Sequence, residues 1–164
     1  MEFVALSNEQ LEGLAKQDEH LRRYFAGVFP ANKLPKHPIK NKPQGYIVNT
    51  EKAGKEGMHW IALWTYGDVC EKLDSYALPL QVYPNQNIAG FISKHWKWID
   101  RNGMSLQTLN SATCGHYALK YLIDRSKGKT MRQFLDEFTP KKNVQNDEKI
   151  AKWLKKRLLK AVRE

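Results

Sequence analysis

The segment MHWIALWTYGDVCEKLDSY, residues 58–76, predicts a β-hairpin at the centre of a sheet. Its first half, 58–66, is apolar and aromatic enough for a strand that is covered on both faces. The turn signal Tyr66-Gly67-Asp68 follows, and 69–76 predicts the returning strand. GYIVNT (45–50) and MSLQTL (104–109) predict two further strands, so the fold must be built around a sheet.

Helical patterns occupy most of the remaining chain. Ser7 or Asn8 can cap a first helix, and Pro84 precedes another. VFPANKLPKHPIKNKPQG, with four prolines, predicts an extended loop instead. The predicted helices are 7–25, 85–98, Cys114 to about Arg125, KTMRQFLDEF and 146–164. In the last, Asn146 is the predicted cap and Ile150, Leu154, Leu158 and Val162 form an apolar stripe.

This order of elements predicts an α+β fold with a mostly antiparallel sheet flanked by helices. No repeat, low-complexity tract or long linker interrupts the 164 residues, so we expect a single domain, 1–164, with a basic helical tail from about 126 to 164. Two cysteines cannot form a disulfide framework or a four-ligand zinc site, and we expect no metal. They are typical of a protein from a reducing compartment.

The N-terminal sequence lacks the pattern of a signal peptide, and no apolar stretch approaches the roughly 20 residues of a membrane span. We therefore expect a protein of the cytoplasm, the nucleus or a particle assembled there, not a secreted or membrane protein. The formal charge of +10 favours an anionic partner, most commonly nucleic acid, although a merely solvated basic surface would give the same charge.

Cys114 lies at the predicted start of a helix, where the positive end of the helix dipole stabilises a thiolate. Gly115 would let a substrate backbone approach it closely. Gln107, seven residues earlier, could donate its side-chain amide to an oxyanion beside the Cys114 N–H group. A buried inert cysteine and an ordinary strand glutamine are the alternatives.

His59 is the candidate base, with the neighbouring Trp60 available to cover its ring. A carboxylate on the second strand of the hairpin would fix its tautomer and stabilise the imidazolium. Asp74 is the preferred carboxylate by position, and Glu71 and Asp68 compete with it.

The stretches IVNT, GMHW, LDSY and QTLNSATCG, with YFAGVFP before them, together resemble the adenovirus-type endopeptidases, or adenains, and the superfamily they share with Ulp-type SUMO proteases. The similarity covers roughly residues 7–125. The step of seven residues from Gln107 to Cys114 is that of adenain, whereas Ulp-type enzymes usually have six. At position 74 this chain has aspartate, like the Ulp-type members, whereas adenain has glutamate. The chain after about residue 126 matches nothing in adenain.

The resemblance implies a papain-like cysteine protease core in circularly permuted order. It implies that Cys114 is the nucleophile, His59 the general base and Asp74 its orienting acid, and that Gln107 belongs to the oxyanion hole. The implied activity is that of an endopeptidase that processes capsid or core proteins during virion maturation, at glycine-rich sites, in the virion and the host nucleus or cytoplasm. Trp60 would help to form a narrow substrate channel.

Two alternatives remain open from the sequence. A protease that removes ubiquitin or SUMO would use the same catalytic residues. A basic nucleic-acid-binding structural protein would owe the arrangement to coincidence.

The resemblance also implies partners. Adenain-like enzymes use viral DNA as a cofactor, and from Lys120 onward 14 Lys and Arg against 6 Asp and Glu give +8 of the chain's +10. The predicted DNA-binding residues share one face of the last helix: Lys149, Lys152, Lys156, Lys160 and Arg163. No cysteine lies between Asp74 and Gln107, so an activating peptide would not be disulfide-linked as in adenain. The chemistry itself needs no cofactor.

Overall fold

The computed structural model of the chain describes residues 4–55 and 59–163. A sheet of five strands lies between helices. The strands are β1 Phe25–Phe29, β2 Gln44–Asn49, β3 Trp60–Tyr66, β4 Val69–Leu73 and β5 Trp98–Arg101. The helices are α1 Asn8–Gln17, α2 Asn87–His95, α3 Cys114–Ser126, α4 Met131–Leu135 and α5 Asn143–Arg163. Short 3₁₀ turns cover Leu21–Arg23 and Leu80–Val82.

The strands follow one another across the sheet in the order β1-β2-β3-β4-β5. The predicted strands 45–50, 58–66 and 69–76 form the antiparallel centre, β2-β3-β4. Residue 58, the first of the predicted hairpin, lies outside the described residues. At the tip of the hairpin Tyr66 pairs with Val69, and Gly67 has a φ of 52°, which glycine adopts without steric cost.

The two outer strands, β1 and β5, were missed, and both pair in parallel. The predicted antiparallel pairing therefore holds for the three central strands but not for the edges. β1 begins at Phe25, the last residue of the predicted helix 7–25. That helix ends at Gln17, because the Asp18 carboxylate accepts the N–H groups of His20 and Leu21.

Two other predicted elements are corrected as well. The predicted helix 85–98 ends at His95, because the carbonyl of Asp68 accepts the N–H groups of Lys97 and Trp98 and draws the chain into β5. The predicted strand 104–109 is a loop: both Leu106 N–H and Gln107 N–H donate to the Ser75 carbonyl, which no regular strand ladder allows.

Hydrophobic cores lie on both faces of the sheet. In β3, Ile61 and Leu63 point to the core formed with α2, whereas Ala62 and Trp64 point to the larger core formed with α1, α3, α4 and α5. Each such fully buried aliphatic side chain stabilises the fold by about 1.5–3 kcal/mol. The apolar run of β3 therefore reflects a strand covered on both faces, as predicted.

The basic C-terminal region packs into the larger core through Phe134, Phe138, Ile150 and Leu154. The predicted apolar stripe of α5 is only half buried, since Leu158 is 43% and Val162 85% exposed. Asn146 is not the helix cap, because α5 begins three residues earlier. Its amide instead exchanges two hydrogen bonds with the backbone of Thr139. Among the described residues, no helix is both long and apolar enough to cross a membrane.

Candidate active site

Cys114 is the first residue of α3 and is partly exposed. An α-helix leaves its first N–H groups without partners inside the helix, so this end of α3 is electropositive. The Cys114 Sγ atom accepts a hydrogen bond of 3.4 Å from the backbone N–H of Trp60. The sulfur therefore lies between the N-terminus of α3 and the start of β3, with a backbone N–H group directed at it.

His59 immediately precedes β3 and is 4% exposed. Its Nε2 atom lies 2.7 Å from Asp74 Oδ1, which leaves Nδ1 as the nitrogen available to another group. Nδ1 is buried and has no hydrogen-bond partner within the described part of the chain. Trp60 was predicted to cover the imidazole, but Tyr76 does so, with its ring stacked 4.5 Å away between centroids, and Tyr83 follows at 5.7 Å.

Asp74 follows β4 directly and is completely buried. Besides His59, its carboxylate accepts the Tyr76 N–H at 2.9 Å and the Tyr83 hydroxyl. The side chain of Asn102 clamps the backbone on either side, accepting from Asp74 N–H and donating to Asp74 C=O. These contacts fix the carboxylate in one orientation toward the imidazole.

The competing carboxylates are placed elsewhere. Glu71 is buried, but it forms a two-pronged ion pair with Arg125, at 2.8 and 3.1 Å, and accepts the Tyr121 hydroxyl. Asp68 lies at the hairpin turn, the opposite end of β4 from Asp74. Of the three carboxylates considered, Asp74 is the one that the structure brings to His59.

The charges of the pair reinforce one another. Burial acts most strongly on His59 and lowers its pKa, but the hydrogen bond to Asp74 and the proximity of Cys114 outweigh it and raise the pKa from 6.5 to about 9. For Asp74, burial alone would raise the pKa, but the hydrogen bonds from His59 and Tyr83 outweigh burial and hold the pKa below its ordinary value. The imidazolium is therefore held between two groups that are negative when ionised.

His116 lies two residues after Cys114 in the sequence and is therefore another histidine to consider as its partner. It is buried within α3, and burial lowers its pKa to about 4, against a smaller opposing effect of Asp147. An imidazole that stays neutral at physiological pH cannot form an ion pair with a thiolate. The electrostatics thus favour His59 as the partner of Cys114.

Gln107 is 2% exposed and its amide is held at both ends. Its Oε1 accepts the Ser75 hydroxyl at 2.5 Å, and its Nε2 donates to the Ser111 carbonyl at 2.8 Å. Because an amide nitrogen carries two hydrogens, one N–H remains for another acceptor. The bond to Ser111 ties this side chain to the loop that leads into Cys114.

Gly115, for which a close substrate approach was predicted, is packed on both sides instead of lying open at the surface. It is buried, and a Cβ atom there would come within 3.3 Å of a Leu11 methyl and 3.4 Å of Trp60 Cδ1. The glycine lets α3 pack against α1 and β3 at the point where Cys114 must meet His59.

Cys114 opens into a cavity of about 460 Å³. Its lining includes Trp60, for which a channel role was predicted, together with Tyr76 and Ala112. Its lining also includes residues 5–8, at the start of α1, and the loop 51–55. Residues 4–55 and 59–163 contain no cluster of three or more His, Cys, Asp or Glu that could hold a metal ion.

The lysines predicted to bind DNA are exposed on α5, but their surroundings differ. Lys149 donates to the Glu137 carbonyl and lies over the Phe138 ring. Lys156 and Lys160 border an open groove beside the end of α1, in which Arg157 pairs with Asp18. Lys152 is exposed, and the side chain of Arg163 lies outside the described residues.

Several residues that shape the site were not singled out from the sequence: Ser75, Tyr76, Tyr83, Asn102, Ser111 and Asp147. Tyr76 stands two residues after Asp74, and an aromatic so close to a candidate acid was a usable signal. Tyr83 reaches Asp74 only because the chain turns through Leu80–Val82, and no local pattern announces that contact.

The His59 pKa gives the first prediction. Its folded value of about 9 lies above the ordinary 6.5, so its interactions stabilise the folded protein fully below pH 6.5 and this stabilisation is lost as pH rises through 9. In Cys114→Ala the titration midpoint should fall, because the negative partner on the Nδ1 side is gone. NMR titration of the imidazole, assigned with His59→Gln, measures both midpoints. A wild-type midpoint at or below 6.5, or one that Cys114→Ala does not lower, would contradict the ion pair.

No protein-family model matches the sequence, and no curated protein matches it. Solved structures do match. The ASFV pS273R protease aligns over 90% of this chain with a TM-score of 0.60 and 15% identity, and its selenomethionine form over 91% with a TM-score of 0.63 and 15% identity. In both cases this chain spans 66% of the length of that protease. A weaker match is ChlaDub1 from Chlamydia trachomatis, with a TM-score of 0.44 and 12% identity over 94% of this chain and 77% of its own.

The match extends over nine-tenths of the chain, well beyond the stretch 7–125 that carried the sequence similarity. It confirms the predicted α+β class, a sheet flanked by helices. The chain therefore has the fold of the ASFV pS273R protease, the protease fold that its resemblance to the adenain-like enzymes implied.

Proposed function

We propose that the chain is a cysteine endopeptidase with Cys114 as nucleophile, His59 as general base and acid, and Asp74 as the residue that orients His59. The contact that carries the proposal is the 2.7 Å bond from His59 Nε2 to Asp74, which leaves Nδ1 without a partner among the described residues. Cys114 is close enough to His59 to help raise the pKa of the imidazole. The Cys114 sulfur accepts a hydrogen bond from the backbone N–H of Trp60, the residue that follows His59 in the chain.

In this mechanism the Cys114 thiolate attacks the scissile carbonyl carbon, and the carbonyl oxygen becomes an oxyanion. The Cys114 N–H and the remaining Gln107 N–H stabilise that oxyanion. The His59 imidazolium gives its Nδ1 proton to the leaving amine. His59 then takes a proton from water, which attacks the acyl-enzyme and releases the thiolate.

We infer that the substrates are capsid or core proteins of a virus or a virus-like element, cut during particle maturation. Support comes from the sequence motifs shared with adenovirus-type endopeptidases. The bulky side chains of Trp60 and Tyr76 beside Cys114 suit small residues, such as glycine, at the cleavage site.

Fluorogenic substrates test the proposal. Peptides with Gly-Gly or Gly-Ala before the scissile bond should be cleaved, and matched peptides with Leu-Leu there should not. Ubiquitin and SUMO fused to the same fluorophore form the second arm. Turnover of the fusions without turnover of the free peptides would favour a deconjugating protease, and no turnover of either by wild type would contradict the peptidase assignment.

We further propose that DNA binds to the lysine face of α5 as an activator or guide. Lys149, Lys152, Lys156 and Lys160 are all exposed there, whereas the buried Lys120 and the partly buried Arg125 are held in ion pairs. Binding to phosphates would be independent of sequence and steeply dependent on salt.

Changing these four lysines to glutamine should weaken DNA binding and flatten the salt dependence by about one unit for each lost phosphate contact. A titration of duplex DNA at several salt concentrations measures it. The control changes four exposed lysines elsewhere, Lys33, Lys36, Lys94 and Lys97, and so removes the same charge. Equal losses in both variants would mean that only net charge matters. Unchanged peptide turnover on DNA binding would make DNA a tether and not an activator.

A further inference from the structure

We propose that Asp147 of α5 is a positioning residue for the oxyanion site, because it fixes the segment 107–114 that carries both oxyanion donors. The inference rests on the proposed peptidase function and assigns a role in it to a carboxylate outside the Cys-His-Asp arrangement. Asp147 lies near the start of α5, in the C-terminal part of the chain, and is 1% exposed.

Four hydrogen bonds converge on this carboxylate. Oδ2 accepts from the Thr108 N–H at 3.1 Å and the Thr108 hydroxyl at 2.8 Å. Oδ1 accepts from the Thr113 hydroxyl at 2.9 Å and the Tyr117 hydroxyl at 2.8 Å. The residues held are thus the one after Gln107, the one before Cys114 and one in the first turn of α3.

No Lys or Arg pairs with Asp147 among residues 4–55 and 59–163. Its charge is instead balanced by oriented neutral donors, and such bonds depend strongly on direction. An ion pair would fix a distance, whereas this set fixes the shape of a loop. Asn143, one turn earlier on α5, adds bonds to Ser105 Oγ at 3.1 Å and to the Gln107 carbonyl at 3.3 Å.

Because Thr113 bonds to Asp147, it does not cap the N-terminus of α3. Thr113 is the residue before the helix and a good capping type, yet its side chain makes no capping bond. Its hydroxyl donates to Asp147 and also contacts Ser111 Oγ at 2.9 Å. The start of α3 thus keeps its N–H groups free for a ligand, while the threonine holds the loop.

The consequence for catalysis follows from the positions of the donors. The Gln107 amide and the Cys114 N–H lie at the two ends of the segment, and Asp147 sets one end relative to the other. A misplacement of about 1 Å in a catalytic group can cost about 100-fold in rate. Loss of the carboxylate should therefore impair oxyanion stabilisation and leave the Cys114-His59 pair intact.

The experiment compares two reactions of the same thiol. Asp147→Asn keeps the shape but turns an NH₂ group toward some of the four donors. Its kcat for peptide cleavage should fall by about 10- to 100-fold with little change in KM. Alkylation of Cys114 by iodoacetamide forms no oxyanion, so its rate and pH profile should match wild type. Gln107→Ala should likewise lower kcat, by about 10²- to 10³-fold, and leave the alkylation rate at the wild-type value.

Glu148→Gln is the matched control, since it removes one negative charge from the neighbouring residue of α5 and should change neither reaction. Thr108→Val removes a single hydroxyl donor and keeps the carboxylate. It gives a milder variant if Asp147→Asn melts too early to assay, and a kcat loss of the same kind is expected.

The outcomes separate this inference from the proposed function. An active wild type with equal kcat in Asp147→Asn and Thr108→Val overturns the inference alone. A fall in alkylation parallel to the fall in kcat also overturns it, since the residue would then support only the overall fold or the thiolate. A wild type that neither cleaves peptides nor alkylates faster than a free thiol overturns the proposed function and the role of Asp147 with it.

Discussion

Replacing Cys114 with alanine is expected to abolish peptide cleavage and to leave the fold intact. Removing the nucleophile of a comparable catalytic unit costs about 10⁶-fold in turnover. The fold should tolerate the change, because Cys114 is partly exposed at the first position of α3 and, within the described part of the chain, its sulfur makes one hydrogen bond, from the Trp60 N–H. Turnover and thermal melting of the variant measure both parts, and substantial residual cleavage would refute the assignment of the nucleophile.

Cys70→Ala is the control for this variant. Cys70 is completely buried in the core that faces α2, and burial, with Glu71 nearby, raises the pKa of its thiol. Such a thiol is inert, so the variant should melt at a lower temperature because of the small cavity but retain its turnover. A peptide electrophile should accordingly label wild type and Cys70→Ala, and fail to label Cys114→Ala.

Asp74→Asn is expected to lower turnover by up to about 10⁴-fold, as loss of the orienting acid does in a related triad. Three donors point at this carboxylate: His59 Nε2, the Tyr76 N–H and the Tyr83 hydroxyl. An amide cannot accept from all of them and cannot stabilise the imidazolium. His59→Ala should lose still more, since it removes the proton carrier itself.

Glu71→Gln provides the matched comparison, because it neutralises the buried carboxylate within β4, three residues before Asp74. Breaking the Glu71-Arg125 pair should cost about 3–5 kcal/mol of stability, since it leaves a partly buried guanidinium without its partner. Turnover per folded molecule should nevertheless stay near wild type. The opposite pattern, a silent Asp74→Asn and a crippled Glu71→Gln at equal folded fraction, would mean that the wrong carboxylate was assigned.

The sequence predicted the centre of the fold well because its signals are local there. The hairpin carries a turn at Gly67 and a strand that is apolar on both faces, and its pairing then brings His59 toward Asp74. The outer strands had no such signal. All four residues of β5 are exposed, and its position depends on the distant Asp68 carbonyl.

The candidate site divides in the same way. Cys114, His59, Asp74 and Gln107 were identified by residue type, order and spacing. Tyr83, Asn102 and Asp147 were not identified, because each contacts a residue distant in the sequence. Asn102 and Asp74 are 28 residues apart, Asp147 and Thr108 are 39 apart, and Tyr83 is 9 residues from Asp74. The bonds of Asp147 are revealed only by the packing of α5 against the segment 107–114.

The register of the hairpin limits how sequences of this kind can change in length. Ala62 pairs with Leu73, so His59 and Asp74 lie at the open end of the β3-β4 ladder, away from the turn. One residue inserted into both strands, or a longer turn at Gly67, lengthens the far end and leaves the histidine and the acid facing each other. An insertion in one strand alone shifts the register and turns every following side chain to the other face. During evolution, an insertion or deletion in β3 should therefore be accompanied by one of equal length in β4. Unmatched changes should be confined to the turn.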